Sequence, residues 1–133
     1  MIIGRSHIVP ESTQWKGLIT AGQNHRIVTD EPAHLEGQDQ GAAPYDLLCS
    51  ALVSCTMITL RMYAKHKGIE LGHFSVDAGF QINHDKEESV QRHLHFDTPL
   101  SDELKQKVLA ICQKTPVTKT LLRSVNIQTS IVE

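Results

Sequence analysis

LLCSALVSCTMITLRMYAKHKG, residues 47–68, is the stretch on which the fold turns. Leu48, Leu52, Cys55, Thr59 and Met62 recur at steps of four and three, and Leu47, Ala51 and Ile58 widen the stripe. The pattern predicts one long amphipathic helix with Cys55 in the middle of its inward face. Pro44 suits the first helical position, where its missing N–H costs nothing. Gly68 suits the residue just past the end, and Lys65, His66 and Lys67 suit the negative end of the helix dipole. The apolar run from Leu47 to Leu60 contains Ser50, Ser54, Thr56 and Thr59. It reads as too short and too polar for a membrane span, which needs about 18–20 apolar residues. A buried core helix is the expectation.

Upstream, QWKGLITAGQNHRIVTDEP reads as two short strands around the turn AGQN, followed by the turn-rich loop DEPAHLEGQDQGAAP. Downstream, HFSVDAGFQINH alternates, with Phe74, Val76, Ala78, Phe80 and Ile82 on one face. VQRHLHFD alternates likewise through Val90, Leu94 and Phe96, with Arg92 as the exception, and DKEES turns between the two as a hairpin. SDELKQKVLAICQK predicts a second helix with Ser101 as N-cap and Leu104, Val108 and Ile111 inward. SVNIQTSIVE predicts a closing strand with Val125, Ile127 and Ile131 on one face. The order ββ-α-ββ-α-β predicts an α+β fold, helices on one side of an antiparallel sheet, in a single domain over residues 1–133.

The net charge of −2, with no basic cluster longer than KHK, gives no reason to expect a nucleic-acid partner. The N-terminal MIIGRSHIVPE has no apolar h-region, so no secretory signal is expected. Three cysteines without such a signal fit free or transiently oxidised thiols in a reducing cytoplasm better than a disulfide framework. No H-E-x-x-H, C-x-x-C, G-x-S-x-G or phosphate-binding glycine loop occurs.

Cys55 reads two ways: a small hydrophobe filling a core, or a nucleophile. In mid-helix it has no helix N-terminus beside it, so activation would have to come from a neighbouring cation or donor. Cys49 lies six residues earlier, about 600° of rotation and roughly 9 Å of rise away, beyond disulfide reach. Thr115 followed by Pro116 reads as an N-cap opening a short helix. A cysteine at 115 would gain a depressed pKa, whereas threonine caps but carries no thiol chemistry. Cys112, three residues before, is either buried packing or a displaced second thiol. His93 and His95 share the outward face of their strand as an H-x-H pair with no third ligand apparent, and no metal is expected.

GAAPYDLLCSALVSCTMITLRMYAKHKGIEL, with Ser54-Cys55-Thr56, resembles the signature region of the OsmC/Ohr family of osmotically inducible and organic-hydroperoxide-resistance proteins. HDK at residues 84–86 resembles the end of that family's central strand. LSDELKQKVLAICQKTPVTKTL resembles its second helix and the C-P-V-H-R-T-L motif that follows. The resemblance runs from about Trp15 to the C-terminus. It implies an intertwined homodimer with two interfacial sites, and a thiol peroxidase whose Cys55 attacks organic hydroperoxides in oxidative or osmotic stress defence. It also implies an external thiol or dihydrolipoyl-type dithiol as reductant and no bound cofactor. Three departures stand out. The family's second cysteine falls on Thr115, and its His and Arg become Thr118 and Lys119. Its activating glutamate falls on Tyr45, with Asp46 the nearby carboxylate, nine residues before Cys55 and about 180° round an ideal helix. Arg5 and Arg26 are the nearest candidates for its activating arginine. The expectation is a one-cysteine peroxidase resolved by an external thiol or by Cys112. The alternative is a non-catalytic relative binding a small apolar ligand.

Overall fold

The computed structural model describes residues 1–12 and 14–132, which divide after Leu48 into two compact units. The first unit is built on a three-stranded antiparallel sheet. β1 (Ser6–Pro10), β2 (Gly17–Ala21) and β3 (His25–Thr29) lie in that order, with Ile8 opposite Ile19 and Ile19 opposite Ile27. The turn between β2 and β3 is the expected AGQN, closed by Gly22 at φ 64°. β1 was not legible as a strand: it is five exposed residues at a sheet edge, with no buried face to impose an alternation.

The loop after β3 has more order than its composition predicts. Asp30 is buried, and its carboxylate accepts N–H bonds from Glu31 at 2.8 Å, Gln38 at 3.2 Å and Gln40 at 3.3 Å. Burial pushes this carboxyl up, but the three backbone donors, aided by Lys16, outweigh it and hold it below the ordinary carboxylate range. Thr29 Oγ1 donates to Ala42 O at 2.7 Å and closes the loop's base. Gly41 is required there, since a Cβ would stand 2.2 Å from Val28 O.

The long helix α1 runs from Pro44 to Lys67, as its end signals predict, and Gly68 follows it at φ 66°. At its start the Ala43 N–H donates to Asp46 Oδ2 at 3.0 Å, one half of a capping box, since Ala43 has no side-chain acceptor to return the bond. With Pro44 and Lys67 as its ends, α1 is long and apolar enough to cross a membrane by length and composition. The core helix of a soluble protein passes the same test, and α1 buries Leu52, Thr56, Leu60 and Ala64.

In the second unit, α1 buries Leu52, Thr56, Leu60 and Ala64. This face is offset from the expected Leu48, Leu52, Cys55, Thr59 and Met62: Cys55 is half-buried and Met62 is exposed. The hydrophobic pattern discounted Thr56 as polar, yet its hydroxyl donates to Leu52 O at 2.7 Å and is fully satisfied inside. β4 (Phe74–Ile82) and β5 (Glu88–Phe96) form an antiparallel hairpin with Phe74 opposite Phe96, their rings stacked at 5.1 Å. The sheets are therefore two rather than one. α2 (Asp102–Cys112) is capped by Ser101, whose Oγ accepts from the Leu104 N–H, and α3 (Pro116–Leu121) is capped by Thr115. Leu60, Ala64, Leu71, Val108 and Cys112 form the core, ringed by Phe74, Leu94, Phe96 and Leu104. The expected C-terminal strand is absent among the described residues. Residues 123–132 find no neighbouring strand to complete a ladder and stay exposed, Ile127 at 83% and Ile131 at 91%.

Candidate active site

Cys55 sits two turns into the second unit's part of α1, half-buried, with Sγ 3.9 Å from Thr59 Oγ1. Among the described residues no hydrogen bond joins it to Cys112 or Thr115. The next residue, Thr56, is wholly buried and is where the polar chemistry begins. Arg92 Nη1 donates to Thr56 Oγ1 at 3.0 Å and to Thr118 Oγ1 at 2.9 Å, and Arg92 Nη2 donates to the Cys112 carbonyl at 2.9 Å. The Thr118 and Thr115 hydroxyls share a hydrogen bond at 2.7 Å. Thr115 Oγ1 also accepts the Thr118 N–H, as an N-cap does.

The sequence-derived candidates are therefore dispersed in role. Thr115 is fully buried and spends its hydroxyl on capping α3 and on Thr118. Cys112 packs in the apolar core with Leu60 and Val108, and burial pushes its thiol up against a smaller opposing pull from Arg92. Asp46 is engaged by the Ala43 N–H, and Tyr45 is exposed. Of the two arginines put forward for activation, Arg5 precedes β1 and Arg26 lies on β3; both are exposed. Lys119 is exposed in the last turn of α3.

The sequence reading named Arg92 as a break in the strand alternation, Thr56 beside Cys55 and Thr118 at the family's His position, but put none of the three forward as a site residue. One signal was present. Arg92 occupies an inward register position on β5, between Val90 and Leu94, where a charge needs buried partners.

On the opposite, exposed face of the hairpin, Asp77 reaches both members of the H-x-H pair. His95 Nε2 lies 2.7 Å from Asp77 Oδ2, and His93 Nδ1 lies 3.1 Å from Asp77 Oδ1. These imidazoles, His95 foremost, hold the Asp77 carboxyl below its ordinary range. Among the described residues no group of three or more such side chains is arranged to hold a metal ion. A groove of about 420 Å³ opens beside the C-terminal half of α1, lined by Met57, Arg61, Ala64, Leu71, His73 and Phe74 among others.

Solved structures share this architecture. A Psychrobacter arcticus 273-4 protein, described provisionally as osmotic stress induced and of the detoxification response, matches with a TM-score of 0.74 at 21% identity, over 90% of this chain and 88% of that one. An OsmC-like protein from Mycoplasma pneumoniae matches with 0.72 at 20% identity, over 90% and 86%. The organic hydroperoxide resistance protein OsmC of Legionella pneumophila matches with 0.67 at 15% identity, over 91% and 90%. No curated protein sequence matches the chain. The family model for OsmC-like proteins matches residues 37–130, which is well over half of the sequence and takes in Cys55, Arg92 and Thr115 alike, and the chain belongs to the OsmC family.

Proposed function

We propose that this protein is a thiol-dependent peroxidase that reduces organic hydroperoxides through Cys55 alone. The observation that carries the reading is the placement of Cys55. It is a free thiol, half-buried on an apolar helix, in a chain whose family includes organic hydroperoxide resistance proteins. A thiol carried on an apolar helix suits an organic peroxide better than hydrogen peroxide, because the organic group gains from leaving water.

The chemistry balances as follows. The Cys55 thiolate attacks the terminal oxygen of ROOH and the O–O bond breaks; the peroxide's own hydrogen stays on the new sulfenic acid, and RO⁻ takes from solvent the proton the thiol gave up and leaves as ROH. A thiol then attacks that sulfur, releasing water and forming a mixed disulfide. A second thiol, or the second arm of a dihydrolipoyl-type dithiol, restores Cys55 and departs as a disulfide. Thr115 supplies no sulfur, and Cys112 is committed to the core. The resolving thiol therefore comes from outside, and partial exposure leaves Cys55 open to it.

A cytoplasmic setting suits three free thiols. A homodimer suits the exposed apolar residues, Met62 at 67% on α1 and Ile127 and Ile131 in the unpaired C-terminal segment. In a second reading a small ligand binds without turnover; the groove beside Met57 and Phe74 also presents Arg61, Glu70 and His73, so it suits a ligand with a polar end better than a wholly apolar one.

The test is titration of the reduced protein with cumene hydroperoxide, dimedone-type trapping, and mass-spectrometric mapping of each cysteine. Saturable labelling at Cys55, with Cys49 and Cys112 untouched, supports the peroxidase. Full thiol-dependent peroxide consumption by Cys55→Ser would sink it. A Cys55–Cys112 disulfide would make Cys112 the resolving thiol. An inert Cys55 alongside binding of a hydrophobic probe selects the second reading.

A further inference from the structure

A guanidinium inside a protein is ordinarily matched by a carboxylate, because desolvating an unpaired charge costs several kcal/mol. Arg92, half-buried on β5, departs from that habit. Among the described residues it forms no ion pair, and the acceptors of its fork are two hydroxyls and one peptide carbonyl. The carbonyl is that of Cys112, at the end of α2, where the last carbonyls lack helical partners and the dipole is negative. This provides the electrostatic compensation. The hydroxyls belong to Thr56 on α1 and Thr118 on α3, so one side chain of β5 binds all three helices of this unit.

Every hydroxyl oxygen in the cluster is engaged. Thr56 accepts from Arg92 and donates to Leu52 O; Thr118 accepts from Arg92 and bonds onward to Thr115. Thr56 is peptide-bonded to Cys55. Fixing its side chain fixes the rotation of α1 about its axis, and hence the azimuth of the sulfur about 100° away.

We propose that Arg92 is the positioning residue of the Cys55 site. It ties the helix bearing Cys55 to the α2–α3 corner bearing Thr115 by charge-assisted hydrogen bonds. The proposal rests on the peroxidase reading for its kinetic consequence, though not for the tie itself. Lysine is not equivalent, since a single ammonium nitrogen lacks the planar fork that serves three separated acceptors.

The test uses Thr118→Val, which touches Arg92 but lies on a different helix from Cys55, with Arg92→Lys and the double variant. All are compared well below their unfolding temperatures after circular dichroism shows native spectra. One arm follows amide hydrogen exchange. In Thr118→Val, exchange should quicken in residues 53–60 of α1 as well as in α3; quickening confined to α3 overturns the tie. The other arm follows the rate of Cys55 oxidation by cumene hydroperoxide. Each single variant should lose about tenfold to a hundredfold, the scale on which small misplacements of a reacting group act. The double variant should lose no more than the worse single one. An undiminished rate in Thr118→Val, or losses that multiply, overturns the positioning role. Wild-type Cys55 inert to the hydroperoxide overturns the peroxidase reading alone, and the exchange arm then decides the tie. Should Arg92→Lys fail to fold, Thr56→Val replaces it, breaking the same fork at its α1 end.

Discussion

Thr56 is wholly buried, and Thr56→Val removes its hydroxyl while keeping its shape. Valine and threonine are both β-branched, so helix propensity barely changes. The loss is the acceptor for Arg92 Nη1 at 3.0 Å. A guanidinium N–H left unsatisfied costs about 1–3 kcal/mol, the donor's charge raising the figure and the partial exposure of Arg92 lowering it. The added methyl recovers roughly 0.8 kcal/mol of apolar burial at most. The net expectation is a loss of about 1–2 kcal/mol, or a melting temperature lower by roughly 3–10 °C for a chain of this size. Thr56→Ser is the control: it keeps the hydroxyl, deletes one buried methyl, and should cost about 1 kcal/mol through packing alone. Equilibrium unfolding in urea at one fixed protomer concentration measures both, since assembly would make stability depend on concentration. With Arg92→Met the two sites close a double-mutant cycle, whose coupling term should be comparable to the loss in Thr56→Val. Thr56→Val within about 0.5 kcal/mol of wild type, or a coupling near zero, would refute the claim that this hydrogen bond carries weight.

Other outcomes follow from the same structure. Leu60 is fully buried in the core, so Leu60→Ala should cost about 3 kcal/mol and be readable as a shift of the urea midpoint. The Asp30 carboxyl titrates below its unfolded value near 3.9. Its contribution is therefore complete above that unfolded value and is lost as pH falls through the depressed folded one. The gap between wild type and Asp30→Asn, measured as urea midpoints across the acid range, should be constant above about pH 5 and shrink below about pH 4; a gap unchanged into strong acid would refute the cage. Cys112 is 3% exposed, with its thiol pushed up by burial, so native protein should label at Cys49 and Cys55 with a maleimide and at Cys112 only after denaturation.

How much of this was legible beforehand depended on the range of the interaction involved. The start of α1 at Pro44, its stop at Gly68, the Ser101 cap and the Thr115 cap are each decided within four residues. The β4–β5 hairpin was readable because alternation over nine residues on each side sets its register. Where a rule needed a distant partner, it failed. SVNIQTSIVE alternates like a strand, but a ladder needs a neighbour, and the described residues supply none. The buried stripe of α1 was misplaced because Thr56 is polar in composition yet satisfied in context.

The amino-acid sequence by itself determined the long helix and its ends, the β4–β5 hairpin, the caps of α2 and α3, and Cys55 as the sulfur to watch. Only the tertiary structure decided what surrounds Thr56 and Thr115, the two threonines that frame the candidate site. The Arg92 guanidinium bonds Thr56 directly and Thr115 only by way of Thr118; it reaches across 36 residues to Thr56, 26 to Thr118 and 20 to Cys112. A charge on an inward strand position announces that partners must exist, because an unpaired one is too costly to bury. Which partners they are is settled by how β5 packs against three helices, and no local pattern carries that.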